Sequence, residues 1–330
     1  MRQDNDMQNE QDLCVRESNI QWFPGHMAKA RRLLSENLGL VDCVVELIDA
    51  RIPFSSRNPE IDRLLGQKPR VVVANKRDLA DEKQCKFWKQ YFAEQGIPLI
   101  YTDCQKGAGV KEVQQAILHV KAEKIQRKLD KGMRMYTVKT MVVGIPNVGK
   151  SSFINKVAGK NVAVTGDKPG VTRGKQWLRM NDQISLLDTP GLLWPKFEDQ
   201  RAAFCLAATG AIKDDVLDRT DITAFLLLYL ADNYPGLLTE KYKIDEQTLL
   251  NASNDTYIRQ EFESEGAFRR RTVGIRLLHA CARKRGCLQK GGIIDEDRIC
   301  AMILDDFRGG KIGRISLDDP SVLQTGGAKQ

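Results

Sequence analysis

The sequence predicts an α/β protein in which a doubly wound, mostly parallel sheet is followed by a smaller all-α domain. Three observations carry that expectation. Apolar strand-like runs alternate with helix-like stretches from Ile20 onward. A glycine-containing loop, Gly144-Ile145-Pro146-Asn147-Val148-Gly149-Lys150-Ser151, stands between an apolar strand and a helical stretch. After Pro195 strand signals vanish and helical periodicity takes over.

Taken in order, residues 1–19 are rich in Asn, Gln, Asp and Glu and read as a disordered tail. Strands are expected at Val41 to Asp49, Val71 to Asn75 and Ile97 to Tyr101, alternating with helices at His26 to Leu38, Asp81 to Gln95 and Val110 to Leu129. A basic segment, Lys121 to Arg134, leads into a second set, with strands at Thr137 to Gly144, Gln176 to Met180 and Ile184 to Asp188 and a helix from Gly149 to Ala158. Helices alone follow, at Arg201 to Ile212, Ile222 to Asn233, Gly266 to Arg285 and Asp295 to Phe307. The expected division is a tail at 1–19, a nucleotide-binding domain at 20–199, a helical domain at 200–320 and a flexible end at 321–330.

A chain of 330 residues has room for two such domains. With 42% hydrophobic and 28% charged residues it reads as soluble, and its longest apolar run, Ile222 to Ala231, falls short of the roughly 20 residues a membrane span requires. The polar, partly acidic N-terminus matches neither a signal nor a transit peptide, so a cytoplasmic location is expected. The 8 Cys form no CxxC pair and there are only 3 His, which implies reduced thiols and no zinc site. A net charge of +8 favours a polyanionic partner.

The loop at 144–151 matches the phosphate-binding pattern GxxxxGK[ST]. Gly144, Asn147, Val148 and Gly149 would turn backbone N–H groups toward phosphate oxygens at a helix N-terminus, Lys150 would neutralise β/γ charge, and Ser151, followed by Ser152, would offer a hydroxyl to Mg²⁺. Asn75-Lys76-Arg77-Asp78 closes an apolar strand and matches the guanine-reading pattern NKxD. The Asp78 carboxylate can accept from both guanine N1–H and the 2-amino group, a donor pair that adenine lacks, so GTP is preferred to ATP. Asp103-Cys104 lies where a loop would back the base. Asp188-Thr189-Pro190-Gly191 follows a strand, placing Asp188 for a Mg²⁺ water and the Gly191 N–H for the γ-phosphate, while Thr172 in the Gly166 to Gly174 stretch can add its hydroxyl to Mg²⁺.

The order of these motifs is inverted: guanine reader at 75, phosphate loop at 144, DTPG at 188, whereas conventional G proteins begin with the phosphate loop. A doubly wound sheet tolerates this circular permutation, because each motif sits after its own strand and only the connections change. With Trp22-Phe23-Pro24-Gly25-His26-Met27 and Leu193-Trp194-Pro195-Lys196, the chain resembles the circularly permuted ribosome-assembly GTPases of the ribosome biogenesis GTPase A type, from about Ile20 to Pro320. The resemblance implies a Mg²⁺-dependent GTPase that joins a late precursor of the large ribosomal subunit and leaves after hydrolysis.

Leu192 occupies the position where Ras-like proteins carry the glutamine that orients the attacking water. The resemblance points to His26 for that role, with capping of the following helix or an rRNA contact as the alternatives. Slow intrinsic hydrolysis, stimulated by the subunit, is the consequence. Asn147 matches G proteins that recruit K⁺ beside the phosphates. Between Phe268 and Lys290 the basic residues Arg269, Arg270, Arg271, Arg276, Arg283, Lys284, Arg285 and Lys290 have no acidic neighbour, while Phe268, Val273, Ile275, Leu277, Leu278 and Cys281 form a candidate buried stripe. That face is the candidate rRNA surface, extended by Lys29, Arg31 and Arg32; neither DNA nor membrane is expected as a partner. Three function classes follow: a GTPase assembly factor, an RNA scaffold that holds GTP without turnover, and an ATP-using enzyme, against which Asp78 argues.

Overall fold

The computed structural model describes residues 24–159, 176–189, 200–212, 218–245, 265–320 and 323. Six strands form one sheet: β1 (Cys43–Asp49), β2 (Arg70–Asn75), β3 (Leu99–Tyr101), β4 (Val138–Gly144), β5 (Gln176–Arg179) and β6 (Ile184–Asp188). Their order is β3-β2-β1-β4-β6-β5, parallel throughout except for β5, which runs antiparallel to β6. Every residue of β1 is buried, as expected of a central parallel strand covered on both faces.

Helices accompany the strands: α1 (Pro24–Leu38), α2 (Pro59–Leu65), α3 (Glu82–Glu94), α4 (Val110–Val120), α5 (Ala122–Asp130) and α6 (Lys150–Ala158). Asn58 caps α2 by accepting from the Glu60 N–H, ahead of Pro59 at the first position. The aromatic face of α3 packs Trp88 and Phe92 on Ile48, Val72 and Ala74 of the sheet. The single helix expected over 110–129 is two, broken at Lys121. The physical reason is a change of partner. Whereas α4 buries Val113 and Ile117, α5 buries no residue and is instead drawn to the foot of β1, where Asp42 accepts from Lys124, from the Tyr136 hydroxyl at 2.9 Å and from the Lys139 N–H at 2.8 Å.

Beyond the sheet lie α7 (Gln200–Ala208), α8 (Arg219–Asn233), α9 (Pro235–Tyr242), α10 (Glu265–Arg285) and α11 (Glu296–Arg308). The described residues divide into two compact units, one drawn from Trp22–Asp214 and Ile303–Gln330, the other from Asp215–Met302. This differs from a boundary at 199/200. Loss of strand signal marks the end of the sheet rather than of the unit: α7 buries Ala203 and the run Cys205 to Ala208, and Arg201 on it donates to Leu317 O at 2.8 Å. In the helical unit α8 and α10 approach closely at Gly274, where a Cβ would stand 2.7 Å from the Ala224 Cβ. The seven described cysteines are free and buried, and no described helix is long and apolar enough to cross a membrane.

The chain end is pinned by Asp318, whose buried carboxylate accepts from Phe54 N–H (2.8 Å), Ser55 N–H (2.7 Å) and Ser55 Oγ (2.6 Å), while its carbonyl accepts from Trp88 Nε1 at 3.1 Å. Burial pushes its pKa up to about 6 against the pull of Ser55, Arg201 and Phe54. A folded-state value above the ordinary one means that proton binding stabilises the fold below about pH 4, and that this contribution is lost as pH rises through the folded value. In urea unfolding, the stability of wild type relative to Asp318→Asn should fall by about 2 kcal/mol between pH 4 and 7; a difference independent of pH contradicts the assignment.

Candidate nucleotide site

The sheet reverses its winding between β1 and β4, since the chain builds β1, β2 and β3 outward on one side and then returns to place β4 on the other. Ligands of open α/β sheets bind beyond the strand C-termini at such a switch point. Register brings the motifs together there: Asp49 lies opposite Asn75, Leu47 opposite Gly144 and Val142 opposite Asp188.

The phosphate loop leaves β4 at Gly144, where a Cβ would stand 2.4 Å from Leu47 O, and enters α6 after Gly149, which has φ 94°. With glycine at the cap, no side chain competes for the first amides of α6, which face the anion-binding end of the helix. Lys150 donates to Ile145 O at 2.8 Å and Gly144 O at 3.2 Å; burial draws its pKa down to about 8, while Asp188 pulls the other way. Ser151 and Ser152 occupy the first turn of α6. Asp188 is buried at the end of β6, and Thr189 Oγ1 donates to Val142 O at 2.6 Å, holding the start of DTPG against β4. A hydroxyl and a carboxylate are hard oxygen donors, which suits Mg²⁺, an ion that commonly takes one or two carboxylates and keeps several waters. Among the described residues no group of three His, Cys, Asp or Glu gathers for a metal. Thr172, Gly191 and Leu192 lie outside the described residues.

Asn75 joins three loops. Its Nδ2 donates to Val148 O at 2.9 Å, and its Oδ1 accepts from Cys104 N–H at 3.1 Å and Thr102 Oγ1 at 3.4 Å. Lys76, in a left-handed conformation with φ 62°, sends Nζ to Asn147 O (2.9 Å) and to Asp49 Oδ2 (2.9 Å). Arg77 turns away, pairing with Glu82 at 2.6 Å over the Tyr101 ring, which leaves Asp78 exposed as the loop's free-standing carboxylate. Asp103 Oδ1 accepts from Gln105 N–H and Lys106 N–H, closing the base-backing loop on itself, and burial pushes the Cys104 thiol up to about 11. Asn147, at φ 58°, donates from Nδ2 to Gly210 O at 2.7 Å.

Motif reading missed Asp49 and Arg51. Arg51 is fully buried and holds the Asp49 carboxylate with Nη2 at 2.8 Å and Nε at 3.0 Å, its guanidinium 5.2 Å from the centre of the Phe307 ring. Burial would raise the Asp49 carboxyl, but the charges of Arg51 and Lys76 outweigh it and hold it well below the usual range. The sequence signal was present as an Asp-x-Arg pair at the end of a mostly apolar strand.

In the helical unit, α10 buries Val273, Leu277, Leu278 and Cys281 and exposes Arg276, Arg283, Lys284 and Arg285, with Ile275 half-buried. Arg269, Arg270 and Arg271 belong to the same helix, though their side chains, like that of Phe268, lie outside the described residues. His26 falls in the first turn of α1, two residues after its start, and its side chain and that of Lys29 likewise lie outside; Arg31 and Arg32 are exposed on α1.

A family model described as a 50S ribosome-binding GTPase matches residues 139–259. The chain is 44% identical over 301 residues to ribosome biogenesis GTPase A of Bacillus cereus, covering 91% of this chain and 94% of that one. It is 30% identical over 301 residues to its namesake in Thermotoga maritima, covering 91% and 95%. Among solved structures, GNP-bound YlqF from T. maritima is similar with a TM-score of 0.57 at 26% identity, covering 88% of this chain and 98% of that chain.

If Asp78 reads guanine, Asp78→Asn exchanges an acceptor for a donor where xanthine carries an oxygen. Competition binding should then show the variant preferring xanthosine triphosphate to GTP; an unchanged preference for GTP removes Asp78 from that role.

Proposed function

The chain belongs to the ribosome biogenesis GTPase A family, and on that premise we propose that it hydrolyses GTP as an assembly factor for a late step of large-subunit maturation. The observation that carries the reading is the meeting of guanine-reading, base-backing and phosphate loops at one switch point, tied by Asn75. Asp78 selects the base, the α6 amides and Lys150 hold the phosphates, and Ser151, Asp188 and Thr172 hold Mg²⁺. When bound, Mg²⁺ offsets charge on the β- and γ-oxygens. Asn147 provides a side-chain oxygen for K⁺ beside the same phosphates.

Leu192 has no polar group to orient water, so His26 takes that role when the subunit docks, which makes unaided turnover slow. The exposed arginines and Lys284 of α10 hold rRNA through phosphate contacts in the GTP state, and hydrolysis releases the protein. Such work belongs in the cytoplasm.

Turnover measured with and without large subunits separates this reading from a GTP-holding RNA scaffold. Stimulated hydrolysis in wild type, with stimulation lost in His26→Ala, is the expected result. No turnover in either condition would favour the scaffold, and full stimulation in His26→Ala would remove His26 from the chemistry.

A further inference from the structure

The guanine-reading loop is held by residues more than two hundred positions downstream in the chain. After α11 the chain crosses residues 77–81 and bonds to four of them, Arg77, Leu79, Ala80 and Asp81. Arg314 donates from Nε to Ala80 O at 2.8 Å and from Nη2 to Arg77 O at 3.3 Å. The Ile315 N–H donates to Leu79 O at 2.9 Å, and the buried Ser316 Oγ accepts from the Asp81 N–H at 3.1 Å. At Gly310 the strap comes so close that a Cβ would stand 2.6 Å from Leu79 Cδ2.

The loop's own closing bonds are two, Leu79 N–H to Lys76 O at 3.0 Å and Ala80 N–H to Arg77 O at 3.4 Å. On its other side the Arg77 N–H donates to Thr102 O at 3.1 Å. Asp78 thus sits exposed at the tip of a turn whose flanking peptides are fixed from below by the sheet and from outside by the strap.

We propose that Arg314 and Ser316 are positioning residues for base selection, fixing the peptides on either side of Asp78 so that its carboxylate meets guanine N1–H and the 2-amino group together. The inference rests on the reading of the site as a GTP site. It assigns the chain end a part in nucleotide choice that no local motif contains. Positioning by the strap acts on the contact to the 2-amino group most, because a two-point contact is lost with small rotations that leave one hydrogen bond intact.

Inosine triphosphate, which lacks the 2-amino group, is the probe. Calorimetric affinities of the full chain for GTP and inosine triphosphate, with saturated turnover measured alongside, compare wild type with Arg314→Ala, Arg314→Lys and Arg314→Ala/Ser316→Ala. Arg314 is half-exposed, so its truncation leaves the fold in place, which thermal unfolding verifies. Wild type should prefer GTP by roughly tenfold or more, the worth of one hydrogen bond to a charged acceptor. Arg314→Ala should compress that ratio severalfold with KM raised and kcat unchanged, Arg314→Lys should restore part of it, and the double variant should compress it further. A GTP preference as large in the double variant as in wild type, even with both affinities weakened, overturns the inference alone. Absence of any preference in wild type overturns the guanine reading of the site and the inference with it.

Discussion

The nucleotide site depends on one buried carboxamide. At the end of β2, Asn75 donates to Val148 O in the phosphate loop and accepts from Cys104 N–H in the base-backing loop, so the two halves of the site share a side chain. The chemistry requires an amide, because a carboxylate cannot donate to a carbonyl and would set two acceptors against each other. Space is equally constrained: a Cβ on Gly149 would stand 2.4 Å from Asn75 Nδ2, so the phosphate loop can approach only with glycine there. Groups buried in this way gain from being fully paired and cost most when half paired.

Around that clamp the charges are arranged to keep Lys76 in place. Its left-handed backbone is an unfavourable conformation for a lysine, retained because Nζ is held by both Asn147 O and Asp49. Asp49 can remain ionised in the interior because Arg51 grips it with two nitrogens and Lys76 adds a second positive charge. A buried charge set like this adds little net stability, yet it tolerates no missing member, which makes it a device for fixing position rather than for strengthening the fold.

Permutation leaves this arrangement intact, since the parallel register of β1, β2 and β4 brings the loops to one edge whatever order the strands are made in. What permutation changes is the route of the chain after DTPG. Residues 207–210, at the C-terminal end of α7, receive hydrogen bonds from Asn147 of the phosphate loop and from Arg308, at 2.7 Å to Gly210 O and 2.8 Å to Ala207 O. The chain therefore leaves the sheet-bearing unit by a segment bonded to the phosphate loop, and α11, at the end of which the chain has returned, is bonded to that same segment.

Local patterns made much of this legible. The apolar run of β1, the glycines around Lys150 and the NKxD tetrad at the end of β2 declare their strand and loop positions because their physics is contained within a few residues. Asp49 and Arg51 were overlooked because an Asp-x-Arg pair has no meaning until β2 brings Lys76 beside it. The break at Lys121 and the return of residues after Ile303 to the sheet unit depend on partners such as Asp42 and Arg201, which no window of sequence reveals. Affinity of Asn75→Ala for GDP tests the central claim most directly. Loss of its three hydrogen bonds should weaken binding by about 2–3 kcal/mol, roughly 30- to 150-fold, in a protein that remains folded. Affinity within twofold of wild type would contradict the account.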